Sequence, residues 1–497
     1  MENEKMVDVA AFITASGADK IVADLKTNIA ANASAGKPFI ISDVYDEAGN
    51  QYTDLVQEGG GVWGIALLGY TYVLEQVGIR FFSLAGTSAG AINTMLLASG
   101  GCKNELRTEG IIKDLLQLDL FSFVDGKKDN WRLTKWVKRI IQQFILKADY
   151  VKRLLNAVKI LVAVLFLSTW VCFISALTGP HSLLLWSSVT AMFISLVCII
   201  IAIILLHRIK SVAKTGYGLN AGINFYNWLY MLLSRNKVTN LIDLKKNFCN
   251  VPVGLKVRRD AVRDATTDGE VKPPQSPMLV IVASDITTGN KVEFPRMWDM
   301  YWDNPADVPP AAFVRASMSI PFFFETYKIP ISFGLVKVKK IWKDQINWNG
   351  EIPEYVQMVD GGVLSNFPIN VFYNPNFIIP RMPTFGVRLG GDGVEKANDI
   401  KTFGEYASSL ISTLRSSTDK NFINGNKAFT IGIKEVDMTG HSWLNFFMKD
   451  EEKQIIFAKG AQAAADFILQ FDWEDYKKQR MDNYNVLQEQ RNNPNNW

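Results

Sequence analysis

The chain has 497 residues, 48% of them hydrophobic, and a formal net charge of +4 at pH 7. This length allows two or three domains, or one large domain with insertions, and the nearly even charge balance argues against a nucleic-acid partner. The cysteines show neither metal-ligand spacing nor a disulfide framework, so we expect a reducing compartment; they are Cys102, Cys172, Cys198 and Cys249.

The N-terminal part leads into a glycine-rich stretch. Residues 1–40 are predicted to be a helical segment, and a strand is expected within 39–45. The stretch Gly59–Gly64 then precedes a helix predicted over Ile65–Gln76. It fits a dinucleotide-binding loop or a flexible turn as well as an oxyanion loop. We favour the oxyanion loop, because no second βαβ half with an acidic strand end follows, whereas a serine turn comes at the next strand.

That serine turn reads Gly86-Thr87-Ser88-Ala89-Gly90, after an apolar run and before a helical one. Strand, tight turn and helix is the pattern of a nucleophile elbow, which presents a serine hydroxyl at the end of a sheet. An ordinary glycine-rich turn is the alternative. The repeated strand–loop–helix unit predicts an α/β fold with a mainly parallel central sheet, and both loops are expected at the carboxyl edge of adjacent strands.

The next 85 or so residues change character. Residues 122–159 combine tryptophans with many basic residues, as in an amphipathic helix at a membrane surface or a solvated helix packed on the domain. Two charge-free apolar runs follow, at 160–177 and 183–206. At 1.5 Å per residue they reach about 27 and 36 Å, which predicts a transmembrane hairpin over 160–206 rather than a buried helical pair.

Basic residues flank this hairpin, and its turn contains no lysine or arginine. By the positive-inside rule we expect a two-pass membrane protein with both termini and the globular part in the cytoplasm. Such an arrangement suits a bacterial inner membrane.

The globular chain resumes at 216. The aromatic run Phe322–Phe324 fits ordinary core or the wall of an acyl channel, and residues 331–355 are interpreted as a β-like excursion. Asp360-Gly361-Gly362 ends an apolar strand, and this aspartate is either a turn former or an acid presented on a bare loop.

The C-terminal part is expected to complete the domain. We predict helices and a strand within 396–480, with helices over 401–425 and 450–469 and a strand over 428–435. The polar chain after Lys477, including the tail 481–497, is expected to be disordered.

A serine nucleophile needs a base. Two of the three histidines, His181 and His207, lie at the predicted hairpin, and nothing around His441 suggests a site. This scarcity favours a Ser88–Asp360 dyad over a Ser-His-Asp triad.

Taken together, the motifs resemble the three ordered signatures of patatin-like phospholipases, namely Gly59-Gly60-Gly61-Val62-Trp63-Gly64, Gly86-Thr87-Ser88-Ala89-Gly90 and Asp360-Gly361-Gly362. The stretches 283–289 and 315–321 are also similar to that family. The resemblance covers two parts of one α/β domain, 41–121 and 216–395, with the hairpin inserted between them. It implies a three-layer α/β/α sandwich with a mainly parallel central sheet.

The resemblance also implies hydrolysis of membrane phospholipids or other acyl lipids, in the manner of a phospholipase A, without a cofactor or metal. Ser88 would be the nucleophile and Asp360 the base. The remaining motif residues would form the oxyanion hole (Gly59, Gly60, Gly61 and Ala89) or support the turns (Gly64, Gly86, Gly90, Gly361 and Gly362). The family often has arginine or lysine where Trp63 stands, a departure that bears on rate and substrate preference.

Two other functions stay open from the sequence. An acyltransferase or thioesterase would use the same dyad with a different acceptor or substrate. A membrane-deforming or oligomerising protein would retain only a weak or inactive hydrolase domain.

Overall fold

The computed structural model describes six long stretches of the chain, which are 8–125, 216–258, 276–331, 334–374, 379–391 and 419–492. It also describes shorter groups between 156 and 200 and the single residues 400, 409, 413 and 417. The chain divides into two compact units, the larger comprising 1–123, 222–321 and 326–497, and the smaller 124–221 and 322–325.

The predicted membrane elements lie mostly outside the described residues. Of the amphipathic segment 122–159, only the two ends are described. Of the hairpin, residues 162–171 and 192–200 are described as helical. Within the described part of the chain, none of the helices combines the length and the apolar character that crossing a bilayer requires. The hairpin therefore stays a prediction from the sequence.

The elements of the larger unit are numbered along the described chain. The first half contains α1 (Val9–Ser16), α2 (Ala18–Ser34), β1 (Val44–Tyr45), β2 (Gln51–Gln57), α3 (Gly64–Gln76), β3 (Ile79–Thr87), α4 (Ala89–Ser99) and α5 (Thr108–Leu116). The smaller unit contributes β4 (Gly218–Asn220).

After β4 the larger unit continues with α6 (Ile223–Arg235), α7 (Leu241–Phe248), β5 (Lys256–Val257), β6 (Leu279–Asp285), β7 (Asn290–Phe294) and α8 (Pro310–Ser317). The smaller unit then contributes β8 (Phe322–Phe324), which pairs with β4. The remaining elements are β9 (Tyr327–Pro330), α9 (Leu335–Ile346), β10 (Tyr355–Asp360), β11 (Thr384–Gly390), β12 (Ile433–Asp437), α10 (Asp450–Gln470) and α11 (Trp473–Asn492).

Ten of these strands form one mixed sheet in the order β12–β11–β2–β3–β6–β10–β9, with β1, β5 and β7 paired at its sides. The five strands from β12 to β6 are mutually parallel, as expected for an α/β fold. Every residue of β3 and β6 is buried, so both faces of the sheet are covered at its centre, as parallel sheets require. The predicted parallel α/β arrangement is confirmed.

Two strands, β3 and β10, pair with different parts of the same edge of β6. β3 pairs with β6 only as far as Thr87, which lies opposite Val282. β10 runs antiparallel to β6 and pairs from Asp285 back to Ala283, which lies opposite Asp360. Because β7 pairs with 281–285 along the other edge of β6, β10 must lie on the same edge as β3. The two strands therefore meet with their carboxyl ends facing each other.

Residues 331–355 were predicted to be β-like, and that prediction was wrong. The segment contains helix α9, whose Val338 and Trp342 are fully buried four residues apart on one face. The Trp342 indole N–H donates to the Met300 carbonyl at 2.8 Å, and Asn347 ends the helix in the left-handed conformation. Lysines that alternate with valines gave this segment its strand-like appearance, but the buried face has a helical period.

The expected disorder after Lys477 was also wrong for most of that segment. Helix α11 continues to Asn492, and residues 493–497 lie outside the described chain. The start of this helix is held in place because Trp473 donates to Asp43 at 2.8 Å and the Tyr476 hydroxyl accepts from the Thr384 amide at 3.3 Å. The strand predicted over 428–435 begins later, at Ile433, after a short 3₁₀ helix over Lys427–Gly432. The helix predicted over 450–469 is confirmed as α10.

Candidate active site

Ser88 lies in a sharp turn between the end of β3 and the start of α4. Its backbone has φ 54° and ψ −120°, a conformation that non-glycine residues adopt only when the surrounding structure enforces it. The small flanking residues permit the turn, since a side chain at Gly86 would meet the Gly90 backbone at 2.5 Å. Ser88 is also the N-cap residue of α4, without a side-chain capping hydrogen bond, and the partial positive charge of this helix end favours negative charge nearby. These are the features of a nucleophile elbow.

The Ser88 hydroxyl donates to Asp360 across the meeting point of β3 and β10. The distance from Oγ to Oδ2 is 2.6 Å, and the two residues are almost completely buried. The other carboxylate oxygen, Oδ1, accepts from the Gly362 amide at 2.8 Å. One oxygen of Asp360 is thus held by its own loop, while the other faces the serine. The predicted pair is brought together in hydrogen-bond contact, and its catalytic role stays a prediction.

A turn after α8 holds both members of this pair. The Ser88 amide donates to the Ser317 hydroxyl at 2.8 Å, and the Asp360 amide donates to the Ser319 carbonyl at 2.9 Å. Between these two contacts, the Met318 sulfur lies 3.2 Å from Ser88 Oγ. The sequence contained a signal for this turn, because 315–321 resembles a family motif, but the contacts themselves required the structure.

The glycine loop lies directly beside the elbow. A Cβ at Gly59 would approach the Ser88 Cβ to 2.9 Å. Gly61 has φ 57°, and a Cβ there would lie 2.2 Å from the Trp443 carbonyl oxygen. Both positions therefore require glycine, at the first for close approach to the serine and at the second also for the left-handed backbone.

The predicted oxyanion donors differ in how they are engaged. The Gly59 amide donates to the Asn366 carbonyl at 3.0 Å, so in this conformation its N–H helps to hold the loop. The amides of Gly60, Gly61 and Ala89 remain the predicted donors.

Glu58 anchors the start of this loop. Its carboxylate accepts from the Leu389 amide at 2.7 Å and from the Asn366 side-chain amide at 3.0 Å. The Arg388 Nε lies 3.9 Å from the same carboxylate. Because β11 carries Leu389 and Arg388, the glycine loop is fixed against a neighbouring parallel strand. The importance of Glu58 was not apparent from the sequence, because its partners are distant along the chain.

The loop after Asp360 is fixed in a similar way by Asp419. This carboxylate accepts from the Ser365 hydroxyl at 2.7 Å and from the Phe367 amide at 2.8 Å. Burial raises the pKa of Asp419, and these hydrogen bonds oppose the shift. The result is a short loop held at both ends, which keeps the Asp360 carboxylate directed at Ser88.

A narrow apolar cleft of about 70 Å³ begins at the second half of the glycine loop. It is lined at that end by Gly61, Gly64 and Ala89 and further away by aliphatic and aromatic side chains, among them Leu96, Ile111, Leu115, Leu118, Phe123 and Trp228. The lining residues of this cleft all belong to the larger unit, whereas the aromatic run Phe322–Phe324 does not. It belongs to the smaller unit, where the rings of Phe323 and Phe324 pack edge to face and are buried.

His441 is not a partner of the serine. Its Nδ1 lies 3.6 Å from Glu452, whereas the described contacts of the Ser88 hydroxyl are to Asp360 and Met318. Among the described residues, no group of three or more histidine, cysteine, aspartate or glutamate side chains is placed to hold a metal ion.

Comparison with known proteins identifies the family of the chain. The family model described as patatin-like phospholipase matches residues 55–373. The uncharacterized protein YqhO of Bacillus subtilis (strain 168) is 25% identical over 423 residues, which cover 85% of this chain and 100% of that protein.

Two solved structures align with low similarity. VipD from Legionella pneumophila shares 12% identity at a TM-score of 0.30, over 85% of this chain and 69% of its own. ExoU, in the ExoU–SpcU complex from the type III secretion system of Pseudomonas aeruginosa, shares 15% identity at a TM-score of 0.30, over 86% of this chain and 52% of its own. The family match, which spans more than half of the chain, is the finding that bears on identity.

Proposed function

The chain belongs to the patatin-like phospholipase family and is a lipid acyl hydrolase; from this premise we propose that it cleaves fatty acyl esters of membrane phospholipids through a Ser88–Asp360 dyad. The observation that carries the proposal is the 2.6 Å hydrogen bond between the Ser88 hydroxyl and the Asp360 carboxylate. The bond lies at the tip of a nucleophile elbow and beside a glycine loop.

The proposed reaction has two halves. Asp360 takes the proton of Ser88 Oγ as that oxygen forms a bond to the ester carbonyl carbon, and the amides of Gly60, Gly61 and Ala89 stabilise the negative oxygen. The carbon–oxygen bond to the glycerol then breaks, and Asp360 returns the proton to the departing lysolipid. In the second half, water gives its proton to Asp360 and attacks the acyl-enzyme, so that the fatty acid leaves and Ser88 recovers its proton.

The apolar cleft supports an acyl chain as the group that is cleaved. It starts at Gly61 and Ala89, next to the nucleophile, and its lining is apolar. The cleft is narrow, so a long acyl chain has to part the side chains that form its walls. Such a site favours an aliphatic acyl group over a polar one, since polar groups would lose their hydration there without partners.

We also propose that the segment 160–206 anchors the enzyme to its substrate membrane, with both chain ends on the cytoplasmic side. The support comes from its two charge-free runs and their basic flanks. Where its residues are described, large apolar side chains are exposed, with Phe166 at 66%, Trp170 at 56% and Phe193 at 64%. A bilayer would cover such side chains. We expect the full chain to remain with membranes after a carbonate wash, and the variant that lacks 160–206 to be released. Release of the full chain by carbonate would contradict the proposal.

The dyad is tested by fatty acid release from phospholipid vesicles. We expect Ser88→Ala and Asp360→Asn each to reduce kcat by at least about 10³-fold, because each removes a group that acts in bond formation. The matched controls are Ser34→Ala and Asp475→Asn, at exposed positions, and both should keep full activity. Release that survives Asp360→Asn would refute the choice of base.

The parent protein's products separate the other functions. Lysolipid and free fatty acid in equal amounts support hydrolysis, and a new ester formed with an added alcohol would show acyl transfer. If the parent releases no fatty acid from any lipid, the phospholipase proposal fails.

A further inference from the structure

A second cavity borders the other half of the glycine loop. It has a volume of about 310 Å³ and is lined at this end by Glu58, Gly59, Gly60 and Trp63. The apolar cleft described above begins instead at Gly61. The loop beside the nucleophile is therefore flanked by two cavities, one apolar and one that contains charged side chains.

Within the described part of the chain, two N–H donors at this second cavity lack a hydrogen-bond acceptor. Among the described residues, the Arg388 Nε and the Trp63 Nε1 are buried without a partner, and both residues line the cavity. Buried donors without acceptors are rare in folded proteins, because each loses its hydration without compensation. Two of them in the lining of one cavity indicate that an acceptor belongs there.

The carboxylates of the same cavity do not supply that acceptor. Among the described residues, the ion pairs of Arg388 are long, with 3.9 Å from Nε to Glu58 and 3.7 Å from Nη1 to Glu435. Glu58 already accepts from Leu389 and Asn366 at 2.7 and 3.0 Å. The Asp419 carboxylate, in the same lining, accepts from its own neighbouring loop, as described above. The cation is thus near opposite charge but is not hydrogen-bonded to it.

Lys420 adds a second cation to the cavity lining. A guanidinium, an ammonium and an indole N–H together form a donor set suited to a phosphate oxyanion, which accepts several charge-assisted hydrogen bonds. The position is also suitable. In a glycerophospholipid the phosphate is separated by only a few bonds from the ester that the serine would attack, and Gly59 is in close contact with both Ser88 and this cavity.

We propose that this second cavity binds the phosphodiester of the substrate's head group, with Arg388 as its principal ligand and with Trp63 and Lys420 as further donors. The proposal rests on the proposed function and locates the part of the site that would distinguish a phospholipid from a neutral glyceride. It also gives Trp63, which stands where the family often has a cation, the role of an N–H donor. The cation at the loop would come instead from Arg388 on strand β11.

The test compares two lipid substrates with identical acyl chains, phosphatidylglycerol and diacylglycerol, which the full chain hydrolyses in mixed micelles with detergent. The measured quantity is the ratio of kcat/KM for the phospholipid to that for the glyceride. We expect Arg388→Met to reduce this ratio about 10- to 100-fold, as the loss of charge-assisted hydrogen bonds predicts. Arg388→Lys should restore part of it, and the control Arg296→Met, at an exposed ion pair with Glu293, should leave it unchanged.

A second variant guards against a purely structural effect. Trp63→Phe keeps the ring but removes the N–H, and we expect it to lower the same ratio about 3- to 10-fold. If Arg388→Met lowers both rates equally and Trp63→Phe leaves the ratio unchanged, these residues only hold the loop and the proposal is wrong. This outcome differs from failure of the proposed function, in which the parent hydrolyses neither lipid.

Free phosphate is the other source of the same chemistry. To distinguish free phosphate from a lipid head group, a second experiment measures how strongly inorganic phosphate and glycerol 3-phosphate inhibit the hydrolysis of p-nitrophenyl butyrate. If the cavity is a head-group site, glycerol 3-phosphate should inhibit the parent more strongly than inorganic phosphate does, and Arg388→Met should weaken that inhibition. Inhibition by inorganic phosphate that depends on Arg388, with an unchanged lipid ratio in Arg388→Met, would show a free-phosphate site and overturn the head-group assignment.

Discussion

Replacing Ser317 with alanine tests how the elbow is held in its strained conformation. The Ser317 hydroxyl accepts the Ser88 amide hydrogen at 2.8 Å, and both residues are buried. In Ser317→Ala this amide loses its acceptor in a place that water does not reach. An unsatisfied buried group costs about 1–3 kcal/mol. If the turn relaxes to recover that energy, the Ser88–Asp360 contact of 2.6 Å is lost.

The cost of the unsatisfied Ser88 amide also determines the expected decrease in kcat. A loss of about 1–3 kcal/mol from the transition state corresponds to roughly 5- to 150-fold in kcat. We expect a decrease within this range with KM changed less than threefold, because Ser317 holds the nucleophile and does not contact the substrate. The measurements are steady-state kinetics on phospholipid micelles and urea unfolding of the same preparations.

The matched control is Ser99→Ala. Ser99 is also buried, at the end of α4, and its hydroxyl donates to the Leu96 carbonyl at 3.1 Å. This variant should lose a similar amount of stability, about 1 kcal/mol, but keep the parental kcat. The reasoning is refuted if Ser317→Ala retains kcat within twofold of the parent, or if Ser99→Ala lowers it equally.

Three further predictions concern the glycine loop and two buried acids. Gly61→Ala should abolish most activity and lower the unfolding free energy by about 1–2 kcal/mol, since it places a Cβ in the left-handed region 2.2 Å from the Trp443 carbonyl oxygen; parental kinetics would contradict this. Burial raises the pKa of Asp54 from 3.8 to about 6, so its contribution to stability is present below the unfolded value and is lost as the pH rises through 6. Asp54→Asn should therefore stabilise the fold at pH 7 by up to about 3 kcal/mol but not at pH 4, as measured by urea unfolding at both pH values. Lys477→Met removes the cation 3.6 Å from the buried Asp43 carboxylate, and we expect a loss of about 3 kcal/mol in unfolding free energy at pH 7. Burial already raises the pKa of Asp43, so this carboxylate can take a proton as the pH falls, and the loss should then shrink. A loss that does not change with pH would argue against this ion pair.

Local patterns were sufficient for part of the fold. The helix predicted at Ile65–Gln76 is observed as α3 over Gly64–Gln76, because a run of apolar residues after a glycine-rich turn has few alternatives. The prediction for 331–355 was wrong because valines and lysines alternate over four residues, which indicates a strand. The buried residues of this segment instead follow a helical period. The polar character of the chain after Lys477 concealed the anchoring of α11 by Trp473 and Tyr476, whose partners lie 430 and 92 positions away.

The sequence alone determined the chemical components of the candidate site. The turn around Ser88 and the loop at Gly59–Gly61 are local motifs, since their conformations depend on small residues that adjoin each other in the chain. The tertiary structure decided how these components meet. Asp360 reaches Ser88 because β10 runs antiparallel to β6 along the same edge on which β3 ends. The direction and register of a strand depend on neighbours far apart in sequence. The same reason explains Arg388, an unremarkable residue in the sequence, which lies at the glycine loop because β11 pairs with β2.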